Sequence, residues 1–260
     1  MAIVHNVAKR KLREGDIALG FGLHHLRSSA APMLAGAAQH DYLFMDMEHG
    51  AFTVQEATQI CIASLAAGIA PIVRVCAGAI DEATRLLDNG ALGIVVPHVD
   101  TSEEAKSVAA ALRYPPVGHR SVAGGLPHFG YEKLGLAETC AAINAATLVV
   151  VMLETPQAIA NADAIAAVPG IDALLVGTND LAMELGIPGG FGDERIVAAY
   201  QAVIDACRKH GKHAGVGGIA DDALLRRYIQ MGVKLVLPGS DFAFLQMAAT
   251  ERAATMRGFL

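Results

Sequence analysis

LVVVMLET at residues 148–155 and ALLVGTND at residues 173–180 are the stretches that decide the fold. Each is an apolar run that leads into a turn, and each delivers one carboxylate, Glu154 from the first and Asp180 from the second. The two acids are 26 residues apart, about the length of one strand and one helix in a repeating βα unit. If both strands belong to one parallel barrel, the acids lie side by side at its mouth. Two oxygen ligands that leave the remaining positions to water and substrate suit a divalent cation such as Mg²⁺ or Mn²⁺.

The same alternation of short apolar runs and Ala-rich amphipathic segments extends along the whole chain, as expected of parallel βα units. Predicted strands lie at 17–22, 42–47, 71–75, 93–97, 148–154, 173–178, 213–217 and 234–239. Predicted helices lie at 28–38, 54–67, 79–89, 102–112, 156–168, 193–210, 221–231 and 241–256. Eight strands in 260 residues favour a (β/α)₈ TIM barrel that forms a single domain over residues 1–260. An all-α chain or an open doubly wound sheet is the alternative.

Composition narrows the class of protein further. Charged residues make up only 18% of the chain, the formal net charge is −6, and there is no long basic run, so nucleic acid is not expected as a partner. The cysteines are isolated from one another, which predicts reduced thiols. The N-terminus lacks the apolar stretch of a signal peptide, and no apolar run is long enough to span a bilayer. We therefore expect a cytoplasmic protein.

Polar residues gather where the predicted strands end, which is where TIM barrels place their chemistry. They are Asp46, Glu48 and His49 after the second strand, Arg74 in the third, His98 after the fourth, Glu154 after the fifth, and Asn179 and Asp180 after the sixth, with Asp88 just before the fourth. Taken singly, each acid could be a helix cap, His49 a structural histidine, and Arg74 one half of a structural ion pair. Their convergence on one end of the barrel favours a functional site.

Other segments leave alternatives open. The motifs GVGGIAD (215–221) and LPGSD (237–241) follow the last two strands, where many barrels bind phosphate, although ordinary tight turns would have the same composition. A phosphosugar enzyme is therefore one alternative, and a non-catalytic barrel is another. The Gly- and Pro-rich segment 113–135 is too long for a simple connection, and we expect it to fold over the strand ends or to meet another subunit.

Six linked motifs resemble the HpcH/HpaI aldolases, which are metal-dependent 2-oxo-acid aldolases of the phosphoenolpyruvate/pyruvate barrel superfamily. They are FMDMEHG (44–50), PIVRV (71–75), LLDNGALGIVVPHVDTSEEA (86–105), RYPPVGHRS (113–121), VVMLETPQA (150–158) and LLVGTNDLAMELG (174–186). The resemblance extends from about residue 17 to residue 250. It implies a class II aldolase that reversibly joins pyruvate or hydroxypyruvate to an aldehyde.

The resemblance also implies roles for individual residues. Glu154 and Asp180 match the ligands of Mg²⁺ or Mn²⁺, with Co²⁺ or Zn²⁺ as further possibilities. Arg74 matches the residue that stabilises the enolate, His49 oriented by Asp46 matches the acid/base group, and Asp88 matches a residue of the aldehyde end that a neighbouring subunit can supply. Substrate would also contact Gly177, Thr178, Asn179 and Val216.

The resemblance further implies a homo-oligomer, a hexameric trimer of dimers with a swapped C-terminal helix. Two positions depart from the family pattern: Met152 stands where several members have Gln, and Thr178-Asn179 replaces a frequent Pro-Ala. Both flank the predicted metal ligands, so donor preference is where this chain should differ from its relatives. Within the superfamily, an acyl-CoA lyase of the malyl- or citryl-CoA type is the alternative.

Overall fold

Eight parallel strands close into a barrel in the computed structural model, which describes residues 4–259. Each strand pairs with its neighbour in sequence, and β1 pairs with β8 to complete the ring. The strands are β1 (Ala18–Leu23), β2 (Tyr42–Asp46), β3 (Ala70–Arg74), β4 (Gly93–Val96), β5 (Leu148–Leu153), β6 (Ala173–Gly177), β7 (His213–Gly217) and β8 (Leu235–Val236). The predicted TIM barrel is confirmed.

Most helices lie between the strands in sequence and cover the outside of the barrel, whereas α1 precedes β1 and packs against the layer that fills it. They are α1 (Val7–Glu14), α2 (Ala31–Ala37), α3 (Val54–Ala67), α4 (Ile80–Asp88), α5 (Ser102–Leu112), α6 (Leu136–Ala146), α7 (Pro156–Ala160), α8 (Ala162–Ala166), α9 (Thr178–Glu184), α10 (Glu194–His210), α11 (Asp222–Met231) and α12 (Asp241–Arg257). Capping boxes begin α3 at Thr53 and α5 at Thr101, because each hydroxyl accepts a backbone N–H and the glutamate three residues later reaches back. No helix within residues 4–259 has the length and apolarity needed to cross a membrane.

Side chains of the strands alternate between two apolar layers. One layer fills the barrel and includes Phe44, Ile72, Val150 and Leu175. The other lies between the barrel and its helices and includes the neighbouring positions Met45, Val73, Val151 and Val176. Because both faces of each strand are covered, β2 to β6 are buried along their whole length, and the strands were recognisable as continuous apolar runs.

Four helical features differ from the sequence prediction. The helices α1, α6 and α9 were not predicted, and the predicted strand over 173–178 ends at Gly177 because α9 begins at Thr178. The predicted helix over 156–168 is two short helices separated at Asn161. The Asn161 amide donates to the backbone carbonyl of Asp100 over 2.7 Å, which ties this break to the loop after β4.

The segment 113–135 does not fold over the strand ends. It leaves α5 at the opposite end of the barrel, where the Arg113 guanidinium donates to the Gly170 carbonyl over 2.9 Å and pairs with Asp172 just before β6. Tyr114 and Leu126 then pack against Ile143 of α6. The alternative expectation, contact with another subunit, stays a prediction.

Candidate active site at the barrel mouth

A cavity of about 340 Å³ opens at the carboxyl ends of the strands. This volume is in the range of small-molecule sites. It brings together many of the residues singled out by sequence, because parallel strands deliver their last residues to one rim. The predicted site residues that line it are Asp46, His49, Arg74, Gly177, Thr178, Asn179 and Asp180.

A fully buried ion pair forms one wall of this cavity. Asp46 closes β2 and Arg74 closes β3, and the two residues are direct neighbours in the strand register. Arg74 Nε donates to Asp46 Oδ1 over 2.9 Å and Arg74 Nη2 donates to Oδ2 over 2.5 Å, a two-pronged geometry that fixes the guanidinium plane. Burial would raise the pKa of the Asp46 carboxyl, but hydrogen bonds from His24 and Arg74 hold that pKa well below its usual range. Asp46 is therefore an anion whose first role is to orient Arg74.

Further charged groups extend this pair in both directions around the rim. On one side, His24 Nε2 lies 3.2 Å from Asp46 Oδ2. On the other side, Arg74 Nη1 lies 3.1 Å from Glu48 Oε2, and Glu48 Oε1 lies 3.5 Å from His98 Nε2. His98 in turn contacts Glu154, so basic and acidic side chains alternate from β1 to β5. Sequence reasoning missed His24, although His24-His25 directly follows the first strand.

Glu154 is buried immediately after β5, with 1% of its surface exposed. Its Oε2 accepts the backbone N–H of His98 over 2.8 Å, whereas its Oε1 is buried without a hydrogen-bond partner among residues 4–259. Burial raises the pKa of Glu154, and the charge of nearby Asp180 raises it further, while His98 and Arg74 oppose both. A buried carboxylate oxygen without a partner, close to a second carboxylate, is destabilising unless a cation or a proton compensates it.

Gly177 provides the space that Glu154 occupies. A Cβ atom on Gly177 would lie 2.5 Å from both Cγ and Oε1 of Glu154, so any side chain there would displace the carboxylate. The next residues begin α9, which brings the exposed Asp180 to the cavity in its first turn. Strand β6 thus supplies both the gap for one acid and the position of the other.

Glu154 and Asp180 are a chemically suitable pair for a hard divalent cation, because both offer carboxylate oxygens and one of these oxygens lacks any other partner. No group of three or more His, Cys, Asp or Glu side chains among residues 4–259 is arranged to hold a metal ion. An ion at this pair would therefore take its remaining ligands from water or substrate.

His49 lies at the rim, but it contacts Asp46 through its backbone and not through its imidazole as predicted. Its backbone N–H donates to Asp46 Oδ1 over 3.2 Å, but its exposed imidazole makes no hydrogen bond or ion pair with the described residues. The imidazole that Asp46 orients is that of His24. His49 is nevertheless in the cavity wall, with both ring nitrogens available to a ligand.

Three further predicted site residues, Thr178, Val216 and Asn179, differ from one another in their surroundings. The buried Thr178 hydroxyl is bonded to Tyr200 Oη over 2.7 Å and donates to the Gly217 carbonyl over 2.9 Å, so its side chain joins α9 to the barrel. The Val216 side chain lies in the layer between barrel and helices and does not line the cavity, because the residues of β7 alternate in direction and its neighbour Gly217 lines the cavity instead. Asn179 is exposed and lines the cavity as predicted.

Asp88 lies outside the cavity of its own barrel. It ends α4, before β4 begins, and therefore lies towards the opposite end of the barrel from the cavity. Its Oδ1 accepts a hydrogen bond over 2.5 Å from Arg120, whose buried side chain stacks on the Tyr114 ring. Within one subunit this residue cannot contact a ligand at the mouth.

A larger cavity of about 590 Å³ lies at the opposite end of the barrel, beside α1. Two of the basic side chains in its wall are paired within the fold: Lys9 Nζ lies 3.0 Å from Asp172, and Arg10 Nη1 lies 3.0 Å from Glu14. Burial lowers the pKa of Lys9 to about 8. These contacts attach α1 to the barrel, and the candidate chemistry stays at the other end.

Comparison with known proteins identifies relatives along nearly the whole chain. The model of the family described as HpcH/HpaI aldolase/citrate lyase matches residues 25–246. A 4-hydroxy-4-methyl-2-oxoglutarate aldolase of Hapsidospora irregularis is 35% identical, over 98% of this chain and 96% of the relative. A hydroxypyruvate/pyruvate aldolase of Pseudomonas aeruginosa is 32% identical, over 97% and 93%.

Solved structures give the same result for the fold. An HpcH/HpaI aldolase from Desulfitobacterium hafniense superposes with a TM-score of 0.91 at 28% identity and 97% coverage of both chains. The citrate synthase SbnG superposes with a TM-score of 0.85 at 27% identity, over 98% of this chain and all of the other.

Proposed function

The chain belongs to the HpcH/HpaI aldolase/citrate lyase family, and from that premise we propose that it catalyses metal-dependent aldol addition and cleavage between pyruvate or hydroxypyruvate and an aldehyde. It is a carbon–carbon lyase of the pyruvate aldolase type, since its relatives include aldolases named for 4-hydroxy-4-methyl-2-oxoglutarate, 2-keto-3-deoxy-L-rhamnonate and hydroxypyruvate/pyruvate. The observation that carries the proposal is the unpartnered buried oxygen of Glu154, next to Asp180 and on the same rim as Arg74.

Glu154 and Asp180 would hold the cation, for which Mg²⁺ or Mn²⁺ is the best match and Co²⁺ or Zn²⁺ are alternatives. A divalent ion bound there would supply a Lewis acid for the keto oxygen of the donor, which acidifies the adjacent carbon. The apolar side chains of Met152 and Leu175 limit the water in this part of the cavity.

Arg74 would stabilise the negative charge that develops on the donor oxygen when the C3 proton leaves. Its guanidinium is already held by Asp46 and Glu48, so it needs no rearrangement during the reaction. The Met152 sulfur lies 3.8 Å from Arg74 Nη1 and is a weak acceptor. A Gln at position 152, which the family resemblance would lead one to expect, would bind this guanidinium more strongly, and Met152 therefore leaves Arg74 Nη1 better able to bind substrate.

His49 would carry the proton. Its imidazole lines the cavity without a partner among the described residues, and histidine exchanges protons near neutral pH. Asn179 and Gly177 would contact the donor next to Asp180, whereas the Thr178 hydroxyl would contribute only by fixing α9.

The proposal includes a homo-oligomer, the hexamer that the family resemblance implies. Helix α12 supports subunit contacts, because Asp241 is its only buried residue and Phe242, Leu245 and Met247 are exposed. A neighbouring subunit would then be the source of any Asp88 carboxylate at the aldehyde end. Free cysteines support the cytosolic setting that we also propose.

A second candidate function is that of an acyl-CoA lyase of the malyl- or citryl-CoA type, which would cleave or form a carbon–carbon bond next to a thioester. The similarity to a citrate synthase along the whole chain favours it. Formation of acetyl-CoA and a 2-oxo acid from malyl- or citryl-CoA would select the acyl-CoA branch, and its absence together with aldol product would select the pyruvate branch.

The test is to incubate chelator-treated protein with pyruvate or hydroxypyruvate and a panel of aldehydes, with and without Mn²⁺, and to identify products by mass. We expect adducts only with the ion, and none from Glu154→Gln, which keeps the shape of the side chain and removes its charge. Adduct formation by the fully chelated enzyme at the same rate would refute the metal assignment.

A further inference from the structure

We infer that His98 is a positioning residue, which fixes the Glu154 carboxylate so that one oxygen is engaged by the protein and the other is left for a cation. This inference rests on the proposed function, because it assigns a supporting residue to the same metal site. His98 follows Pro97 at the end of β4 and is not one of the predicted catalytic or ligand residues.

The first observation is that His98 contacts one Glu154 oxygen twice. Its backbone N–H donates to Oε2 over 2.8 Å, and its ring Nδ1 lies 3.2 Å from the same oxygen. Oε1 of the same carboxylate has no partner and is shielded from solvent. The contacts are therefore one-sided, and they determine which oxygen of Glu154 is available.

The second observation is the backbone conformation of His98. Its φ is +53°, in the left-handed region, which costs a residue with a side chain about 1–2 kcal/mol. In this conformation the backbone N–H and the ring Nδ1 both reach Glu154 Oε2. A non-glycine residue persists in such a conformation when the surrounding contacts favour it, and here the contacts are those with Glu154.

The third observation is a second carboxylate on the other side of the ring. His98 Nε2 lies 3.5 Å from Glu48 Oε1, and Glu48 Oε2 lies 3.1 Å from Arg74 Nη1. The half-exposed imidazole therefore links Glu154 to the same rigid unit that holds Arg74. A ligand that binds both the cation and Arg74 needs these two groups at a fixed separation, and His98 provides the link between them.

Removal of the imidazole should leave the backbone hydrogen bond in place and allow the carboxylate to rotate. Partners that orient a metal ligand typically contribute 10- to 100-fold in metal affinity, because an unoriented ligand must be ordered when the ion binds. We therefore expect removal of the His98 side chain to weaken metal binding in an assay without substrate, independently of any effect on turnover.

The test is a calorimetric titration of chelator-treated protein with Mn²⁺ and no substrate. His98→Ala should raise the Kd by about tenfold or more, whereas His98→Asn should stay close to wild type, because its amide nitrogen can occupy the position of Nδ1 and asparagine tolerates positive φ. If the alanine variant does not fold, His98→Gly replaces it, because glycine adopts positive φ without strain. We expect the same loss of Mn²⁺ affinity in this variant. His25→Ala is the matched control, since it removes another imidazole after a barrel strand, one that contacts Phe242 and makes no contact with Glu154 among the described residues.

The outcomes separate this inference from the proposed function. If wild-type protein binds no Mn²⁺, the metal site itself is wrong. If wild type binds and both His98→Ala and His98→Gly bind equally tightly, the metal site stands and the role of His98 is refuted. Loss of affinity in His98→Ala that His98→Asn restores would support positioning by the side chain.

Discussion

Replacement of Gly177 by alanine should abolish high-affinity metal binding without unfolding the barrel. The added Cβ would lie 2.5 Å from Cγ and Oε1 of Glu154. Non-bonded carbon atoms normally stay about 3.5 Å or more apart, so the carboxylate must move by about 1 Å. The backbone itself accepts alanine, because φ at Gly177 is −81°.

A shift of this size is large on the scale of coordination. Ligand distances in metal sites are reproduced to within about 0.2 Å, so a 1 Å displacement takes Glu154 out of any productive geometry. We expect the Kd for Mn²⁺ to rise by about 10- to 100-fold, the range seen when ligand orientation is lost. This corresponds to about 1.4–2.8 kcal/mol of binding free energy. Overpacking should lower the unfolding free energy by about 1–3 kcal/mol, which leaves a folded protein.

Gly217→Ala is the matched control for this experiment. Gly217 pairs with Gly177 in the strand register and lies at the same level of the barrel, but its added Cβ would meet only Leu237, at 3.9 Å. Calorimetric titration with Mn²⁺ should therefore show wild-type affinity in Gly217→Ala and weakened affinity in Gly177→Ala. Equal affinity in the two variants, with both folded by circular dichroism, would refute the assignment of Glu154 as a ligand.

Three further predictions concern stability. Thr178→Val leaves the buried hydroxyl of Tyr200 and the carbonyl of Gly217 without their shared partner, so urea unfolding should show a loss of about 1–3 kcal/mol, while Mn²⁺ affinity is retained; an unchanged midpoint would contradict the structural role of Thr178. Asp46→Asn removes the two-pronged carboxylate partner of the buried Arg74 and leaves Glu48 as its remaining carboxylate partner, so it should cost up to about 3–5 kcal/mol in the same assay; a loss below about 1 kcal/mol would count against the buried pair. Because the folded-state pKa of Asp46 is depressed, the stability it confers is complete above the ordinary aspartate pKa of about 3.9 and is lost as the pH falls below it. Between pH 6 and pH 3, the urea midpoint of wild type should fall as the pH is lowered. Asp46→Asn should lack the part of this fall that comes from protonation of Asp46, and parallel profiles in the two proteins would contradict this linkage.

The barrel could be predicted from sequence because each strand is covered on both faces and so reads as an apolar run between turns. Helix α1 was missed because its segment, VAKRKLRE, is strongly charged, and tertiary contacts of Lys9 with Asp172 and with the Thr147 carbonyl explain how a lysine comes to be buried there. The capping residues Asn6 and Gly15 were the available local signal.

The sequence predicted which residues gather at the rim, because a parallel barrel brings successive strand ends together. Hydrogen-bond partners were not predictable in the same way. His24 and His49 are both candidates for a contact with Asp46, and the choice of His24 depends on the pairing of β1 with β2, which places Leu23 opposite Met45. The Thr178 hydroxyl is likewise taken by Tyr200, which lies on α10, 22 residues along the chain.

The most direct test of the central claim is exchange of the C3 protons of pyruvate with D₂O, measured by proton NMR in the absence of any aldehyde. This exchange reports enolate formation whatever the acceptor is. We predict exchange in the presence of Mg²⁺, none after complete chelation, and none with Glu154→Gln. Exchange that continues at the same rate in the chelated enzyme or in Glu154→Gln would contradict a metal-assisted enolate at Glu154 and Asp180.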